Sequence, residues 1–483
     1  MLHIGPMKAG VNSTTYSVLS RYFDVDSLMS KFVVPDLNVR IEKKSLLLHV
    51  GYNRRIGLVN NWRKTARIAA DMCREAAVVL PDDYDSEAEI LKCIADVDRS
   101  KSPGLPWLER YSRQVNNGDV IDYLGTDEIV RLVKIALNSD SQSNTRTFLK
   151  QELHKLSKVV EGRIRIISSI GLIEQIRDRV LFTRLSENLI DAFPDIPVAV
   201  GWSDKGGRFV EMLSSAPSST RIVSMDKRAW DWTVSELHIF MLYMWIHFMH
   251  HGRTDTVERH HEQVDKQAKA QYGPGHRIQT SEGTIFEQLS WGIWKSGGFL
   301  TLVGNAVMQL CSSILAKLEL GFTEQEIKES FWFRSFGDDT IESYPRKFDK
   351  LPGKSLNDYI AKMQELGAII PDEDLKVSDS IEGHEFCGHV IQKLKVYGRT
   401  VWGLIPKRLE KQMTNLVYQC TENVFETLAS MKLNWVADEQ IWNKLNESFL
   451  DLMKLLPDMS ECAKRLLRNR DQDLAVAYGD FLN

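Results

Sequence analysis

The chain has 483 residues, too many for one simple core and enough for about two or three subdomains. Hydrophobic residues make up 43% and charged residues 26%, the balance of an ordinary folded chain, which excludes a disordered scaffold. A formal net charge of −4 excludes a protein that coats nucleic acid over its whole surface but leaves room for a local basic channel, because counterion release depends only on the charge that meets phosphate.

The start, residues 1–15, lacks a basic-then-apolar layout and predicts no signal peptide. No run approaches the ~20 apolar residues of a membrane span; the richest, Leu237 to Met249, contains His238 and His247 and predicts a buried helix. Six cysteines, at 73, 93, 311, 387, 420 and 462, show no CxxC spacing, the pattern of reduced thiols. A basic cluster, Arg54, Arg55, Arg63, Lys64 and Arg67, lies early in the chain. Lys101-Ser-Pro-Gly-Leu-Pro-Trp107 predicts a loop, and Thr126 to Leu137 a helix with Thr126 as N-cap. Arg146 to Lys150 and the alternating Arg163 to Ser168 predict strands. Leu172 to Leu189 predicts a helix, and Arg221 to Met225 an apolar strand ending at Asp226. Ser281 to Trp291 is looser, Gly298 to Leu320 predicts one long helix, and Phe331 to Tyr344 two strands around Gly337-Asp338-Asp339. Beyond Val390 the chain reads as mainly helical. The fold class expected is α+β, with a small central sheet and a helical C-terminal section.

Two acidic strand ends stand out. A Gly-Asp-Asp tripeptide is by itself weak, and the pair Asp82-Asp83 reads as a solvated turn. Asp338 and Asp339, in contrast, sit at a predicted hairpin tip, where two like charges are costly unless a cation joins them. Asp226 ends a second strand, and Asp231 follows it within Asp226-Lys-Arg-Ala-Trp-Asp231. Between these segments, Ser296-Gly297-Gly-Phe-Leu-Thr301-Leu-Val-Gly-Asn305 places a glycine loop before a helix that carries Thr301 and Asn305 on one face.

Taken together, these residues resemble the palm motifs A, B and C of viral RNA-dependent RNA polymerases of the picornavirus-like supergroup. Asp226 and Asp231 match motif A; Ser296, Gly297, Thr301 and Asn305 match motif B; Gly337-Asp338-Asp339 matches motif C. Upstream, Lys150 to Lys158 with Glu161-Gly-Arg-Ile-Arg-Ile is similar to the basic motif F, and Lys101-Ser102-Pro103-Gly104 to motif G. Downstream, Glu385-Phe386-Cys387-Gly388-His389 is similar to motif E of sobemovirus and polerovirus polymerases. The chain departs from the pattern at His154, where arginine is common, and at Gly388, where serine is usual.

The resemblance implies a right hand: fingers over 1–190, palm over 191–262, a fingers insertion over 263–292, palm again over 293–392, and thumb over 393–483, the N-terminal segment bridging fingertips and thumb. It implies two Mg²⁺ or Mn²⁺ ions on Asp226, Asp338 and Asp339, with Asp339 as a supporting ligand and Lys376 as general acid for the leaving pyrophosphate. Residues 145 to 165 hold six Lys or Arg against two Glu, a local excess suited to a triphosphate. Arg165, Arg163, Lys158 and Lys150 are the expected nucleotide contacts, with Glu152 orienting an arginine. Asp231 and Asn305 are expected to read the ribose, since a 2′-hydroxyl both donates and accepts; Ser296 and Thr301 complete the nucleotide site. Ser102, Pro103, Gly104, Gly297, Phe386 and Cys387 are expected at the RNA. The partners implied are template and product RNA, ribonucleoside triphosphates, a genome-linked protein primer as one of two priming routes, and viral or host replication factors. No direct membrane insertion is expected, and the place of action is the host cytoplasm, at membrane complexes reached through partners. A zinc site at His384, Cys387 and His389 is disfavoured by cramped spacing, and His250, His251, His260 and His261 read as a polar helix or loop. A reverse transcriptase is disfavoured by Asp231, and an RNA-binding structural protein by the order of the motifs.

Overall fold

The computed structural model describes residues 11–479 except 34, 36, 112–114, 219 and 397. Most of the segment read as lacking a leader lies outside the described residues, as does the side chain of Cys462. The other five cysteines are free thiols.

At the centre is a four-stranded antiparallel sheet in the order Phe333–Phe336, Asp339–Tyr344, Arg221–Met225, Leu375–Ser378. Successive side chains of a strand point to opposite faces. Val223 and Met225 therefore join a core with Leu242 of helix Glu236–Met249 and with Val307 and Ile314 of helix Thr301–Glu319. Ile222 and Ile341 face the other way, against Phe209, Phe386 and Leu404. Both central strands are thus covered on two faces, which is why Arg221–Met225 reads as a near-continuous apolar run.

Helix Thr301–Glu319 is long and apolar enough to cross a membrane, but 89% of that window is buried inside the fold. The expectation that no run reaches that length is corrected here, and the burial identifies a core helix. The Leu237 to Met249 run is a buried helix, as read.

A second sheet, in the order Ile166–Ser169, Thr145–Leu149, Arg277–Gln279, Ile285–Glu287, carries the basic segment. The strand expected from Arg163 begins only at Ile166. Helix Leu156–Glu161 closes on Gly162 at φ +79°, and the Arg163 N–H turns back to the Lys158 carbonyl at 2.8 Å. Thr126 is the first helical residue rather than the cap, since Gly125 holds that place at φ +78°.

The region after Val390 is not helical at first. His389–Val396 and Arg399–Pro406 form a long hairpin, and helices begin at Leu409. Its exposed face carries lysines where an amphipathic strand normally shows shorter polar groups, and this hid the period of two. Helices Leu409–Val417, Val424–Asn434 and Glu439–Leu455 then share a core with Val18, Leu19 and Val25 of the N-terminal segment. The same segment continues as the strand Phe32–Val33, antiparallel to His154–Lys155. It therefore ties the C-terminal helices to the basic segment, and Lys31 pairs with Glu410 at 2.9 Å alongside.

Candidate active site

Asp226 follows the last residue of its strand, and its N–H donates to the Asp374 carbonyl at 3.1 Å. The pairing Thr340↔Met225, carried one step on, sets Asp226 beside Asp339. The pairing Leu375↔Met225 sets Asp374 on its other side. Gly337 and Asp338 form the two-residue turn between Phe336 and Asp339. Gly337 stands at φ +60°, the conformation demanded of the first turn residue and cheap only for glycine. Burial pushes the Asp338 and Asp339 carboxyls up, Asp339 to about 7, and neighbouring carboxylates push the same way. Asp374 is raised by burial and then by Asp226.

Beneath the acids lies Lys227, 2% exposed. It shares the core-facing register of Val223 and Met225, and its Nζ donates to Thr340 Oγ1 at 2.9 Å. Burial draws its pKa down to about 8, against the pull of Glu342, Asp338, Asp226 and Asp339. Glu342 in turn is fully buried and accepts from Lys317 Nζ at 2.8 Å and from the Tyr359 hydroxyl at 2.6 Å. Neither Lys227 nor Asp374 was singled out from the sequence. A lysine in phase with two buried strand residues was the available signal.

No group of three His, Cys, Asp or Glu is drawn together at metal-binding distance among the described residues. The acids fit a hard divalent cation by chemistry: oxygen donors only, on adjoining strand ends, with carboxyls held up by burial and then by mutual repulsion, both of which a cation would offset.

Asp231 is positioned through Ala229, which adopts the left-handed conformation at φ +52°, a strain of about 1 kcal/mol or more for a residue with a Cβ. Asn305 Nδ2 donates to Asp231 Oδ1 at 2.9 Å, and Asn305 Oδ1 accepts from Trp230 Nε1 at 3.1 Å. An indole only donates, so it fixes which way the amide points. Burial pushes the Asp231 carboxyl up to about 7. Ser296 Oγ accepts from the Ser168 N–H at 3.2 Å. Gly297 lies so close to the Ser168 carbonyl that a Cβ would collide with it. The Thr301 hydroxyl reaches the Gly298 and Lys295 carbonyls at 2.6 and 3.1 Å, so it pins the loop rather than facing a ligand. Lys295, wholly buried, donates to Gln288 Oε1 and the Ile293 carbonyl at 2.7 and 3.0 Å and supports the loop from below.

In the basic segment, Glu152 collects Arg165 at 3.1 Å, Lys150 at 3.2 Å and, from helix Leu409–Val417, Lys411 at 3.3 Å. These three cations overcome partial burial and hold the Glu152 carboxyl down to about 2. Arg163 is paired with Glu161. Lys158 is exposed near Arg163, Lys155 and Asp226. His154 is buried, and its Nε2 accepts from the Arg165 N–H at 3.2 Å, so Nδ1 donates to the Glu152 carbonyl at 2.8 Å. The histidine that departs from the family pattern is therefore a strand connector.

Three residues expected at the RNA, Phe386, Pro103 and Gly104, are buried. Phe386 is 2% exposed and packs against Trp202, whose ring centroid is 5.8 Å away; it belongs to the core. Pro103 and Gly104 are buried, with the Leu172 N–H on the Pro103 carbonyl at 2.9 Å and a Gly104 Cβ position blocked by the Ile170 backbone. Of that loop Lys101 and Ser102 are exposed. Cys387 and Gly388 have φ of +51° and +74°, the paired left-handed values of a tight hairpin turn, which explains glycine at 388. Lys376 is two pairs further along than Asp374, opposite Ser224, and its Nζ is held by the Gly383 carbonyl at 2.5 Å. His384 is buried between Ser224 and Ser378 at 2.9 and 2.8 Å. His250 and His260 are buried, contrary to the polar helix or loop expected; two of their ring nitrogens have no partner.

The family model described as viral RNA-dependent RNA polymerase matches residues 58–413. The chain is 24% identical over 302 residues to the RNA-directed RNA polymerase of Mushroom bacilliform virus, covering 60% of this chain and 63% of that protein. It is 23% identical over 396 residues to the Replicase polyprotein P2AB of Cocksfoot mottle virus, covering 74% and 38%. To Protein P1-P2 of Turnip yellows virus it is 26% identical over 222 residues, covering 41% and 19%. It spans less than two thirds of the length of each of these relatives.

Proposed function

The chain belongs to the viral RNA-dependent RNA polymerase family, and from that premise we propose that it adds ribonucleotides to an RNA 3′ end under the direction of an RNA template, replicating a positive-strand viral genome. Membership implies a right-hand polymerase fold, with which the small sheets and flanking helices agree. We assign fingers to 1–190 and 263–292, palm to 191–262 and 293–392, and thumb to 393–483.

The observation that carries the reading is the meeting of two strand ends, Asp226 beside Asp339 with Asp338 in the turn, next to a ribose-sized polar pair, Asp231 and Asn305. Two divalent ions held by Asp226 and Asp338, with Asp339 in support, would supply an activated 3′-hydroxyl and neutralise the leaving pyrophosphate. The side chains do the rest. Arg165 and Lys150 offer donors to the triphosphate once Glu152 yields them, and Lys158 and Arg163 line the same approach. Asp231 and Asn305 accept from and donate to the 2′-hydroxyl. Lys376 is the candidate proton donor to pyrophosphate, provided it leaves the Gly383 carbonyl. Priming by a genome-linked protein and recruitment to membrane complexes by a viral partner belong to the same reading.

Primer extension on poly(rC) or poly(rA) tests it. The wild-type chain should extend an annealed primer with the complementary ribonucleotide, and Asp338→Ala should reduce the rate at least about 1,000-fold, the scale of losing a transition-state charge clamp. Undiminished synthesis by Asp338→Ala would overturn the reading.

A further inference from the structure

Among the described residues four that are not glycine have a positive φ, and three of them border one short turn. Ala229, at +52°, leads into the turn Trp230–Thr233, which carries Asp231. Ile293, at +54°, donates its N–H to the Val234 carbonyl at 2.9 Å, just beyond the turn. Arg55, at +48°, lies in the segment of the N-terminal part that crosses the turn. Left-handed backbone is uncommon for such residues, most of all for a β-branched one, and it persists only where the surroundings over-determine it. The turn under Asp231 is therefore held by contacts from outside itself.

Those contacts converge on its carbonyls. The Trp230 carbonyl accepts from the Thr233 hydroxyl at 2.8 Å, and the Asp231 carbonyl from the Trp294 N–H at 2.8 Å. The Trp232 and Val234 carbonyls are both reached by one side chain: Asn53 Nδ2 donates to them at 3.1 and 3.0 Å. A carboxamide nitrogen carries two hydrogens, and the two carbonyls use both. Asn53 Oδ1 accepts from the Arg55 N–H at 3.0 Å, which fixes the direction of the amide. The same segment is tied to the turn at two more points. The Ile56 carbonyl accepts from the Leu237 N–H at 3.4 Å, and the His49 ring lies 5.3 Å from the Trp232 ring, centroid to centroid. Asp231 thus sits on a strained turn whose far end is fastened by Asn53, while its carboxyl faces an Asn305 amide already oriented by Trp230.

We infer that Asn53 is a positioning residue for sugar selection: its amide holds the turn so that the Asp231 carboxyl, with Asn305, meets the 2′-hydroxyl of a ribonucleotide. The inference rests on the polymerase reading and deepens it, giving the N-terminal part of the chain a share in the choice of ribose over deoxyribose. Asn53 acts through Asp231, so its removal is expected to weaken the use of ribonucleotides and to leave that of deoxynucleotides nearly as it was.

The test uses the full chain in primer extension with matched ribo- and deoxynucleotides. Asn53→Ala should lower kcat/KM for the ribonucleotide roughly 5- to 10-fold, chiefly through KM, and change that for the deoxynucleotide less than about twofold. Asn53→Asp keeps the size of the side chain, offers neither carbonyl a donor, and should behave as Asn53→Ala does. In an Asp231→Ala background the further change Asn53→Ala should move selectivity by less than about twofold, because residues acting as one unit do not add. A merely structural role predicts equal losses for the two sugars; that result, or wild-type selectivity in Asn53→Asp, or a full additional loss in the double variant, overturns the inference. A second readout needs no synthesis. In chains labelled with 5-fluorotryptophan, the Trp230 and Trp232 resonances, assigned through Trp230→Phe and Trp232→Phe, should shift in Asn53→Ala; unaltered resonances overturn the clamp itself. If the wild type extends no primer, the polymerase reading fails separately, and the resonances still decide whether Asn53 holds the turn.

Discussion

At the scale of single residues, the site is defined by which partner each polar group has already taken. Asn305 is oriented by an indole that can only donate, so its amide N–H must face Asp231. A ribose hydroxyl placed against this pair gains about one charge-assisted hydrogen bond. Asn305→Asp or Asp231→Ala should therefore reduce discrimination against deoxynucleotides by roughly 10- to 100-fold, measured as paired rNTP and dNTP incorporation; unchanged selectivity removes the assignment. Lys227 is the other residue whose role follows from its neighbours. It is the buried cation under Asp226, Asp338 and Asp339. Lys227→Met leaves these carboxylates without it and should cost about 3–5 kcal/mol in urea unfolding with EDTA. Added Mn²⁺ should return part of that stability. Equal losses with and without the ion would mean that Lys227 only fills space.

At the scale of elements, the acid hairpin is fastened to the helix that carries Asn305. Glu342 of strand Asp339–Tyr344 pairs with Lys317 of helix Thr301–Glu319, side chains 0% and 2% exposed, and Tyr359 and Ser313 complete the network. Removing one partner strands a buried charge. Lys317→Met should destabilise by about 3–5 kcal/mol, and adding Glu342→Leu in the same chain should recover much of it. A double variant no better than the single one would show that packing, not charge, is what the pair supplies. The strands Arg221–Met225, Phe333–Phe336 and Asp339–Tyr344 were legible in the sequence, because the first is a short apolar run ending at an acid and the other two flank a Gly-Asp turn. The hairpin from His389 to Pro406 was not, because lysines on its open face masked the alternation.

At the scale of the whole molecule, buried uncharged histidines couple stability to pH. His238, His250 and His384 are held near pKa 4 and His276 near 3, in each case chiefly by burial, and none is more than 5% exposed. An unfolded histidine titrates near 6.5. Between that value and about 4 the unfolded chain binds protons that the folded chain refuses, so stability is present above pH 6.5 and falls as the solution is acidified. Going from pH 7 to 5 should cost up to about 2 kcal/mol per histidine, read as a falling urea midpoint. A midpoint that stays level to pH 5 would show that these rings are protonated in the fold. The same scale contains the link between the two ends of the chain. Val18 and Val25 are buried among the C-terminal helices, and Phe32–Val33 pairs with His154–Lys155, so the basic segment and the C-terminal helices are held from both sides, the second hold being Lys411 on Glu152.

The sequence alone determined the motif order and the chemistry it can support: acids at two strand ends, a glycine loop before an amide-bearing helix, and a local basic excess. These are properties of residue type and spacing, which local periodicity exposes. Tertiary structure alone decided which side chains are free to act. It buried Phe386, Pro103 and Gly104, occupied Thr301 and Lys376 with backbone carbonyls, and brought Lys227 and Asp374 to the acids. The reason is physical. Burial and partner choice depend on contacts between residues hundreds of positions apart, such as Glu152 with Lys411, and no local pattern encodes such a contact.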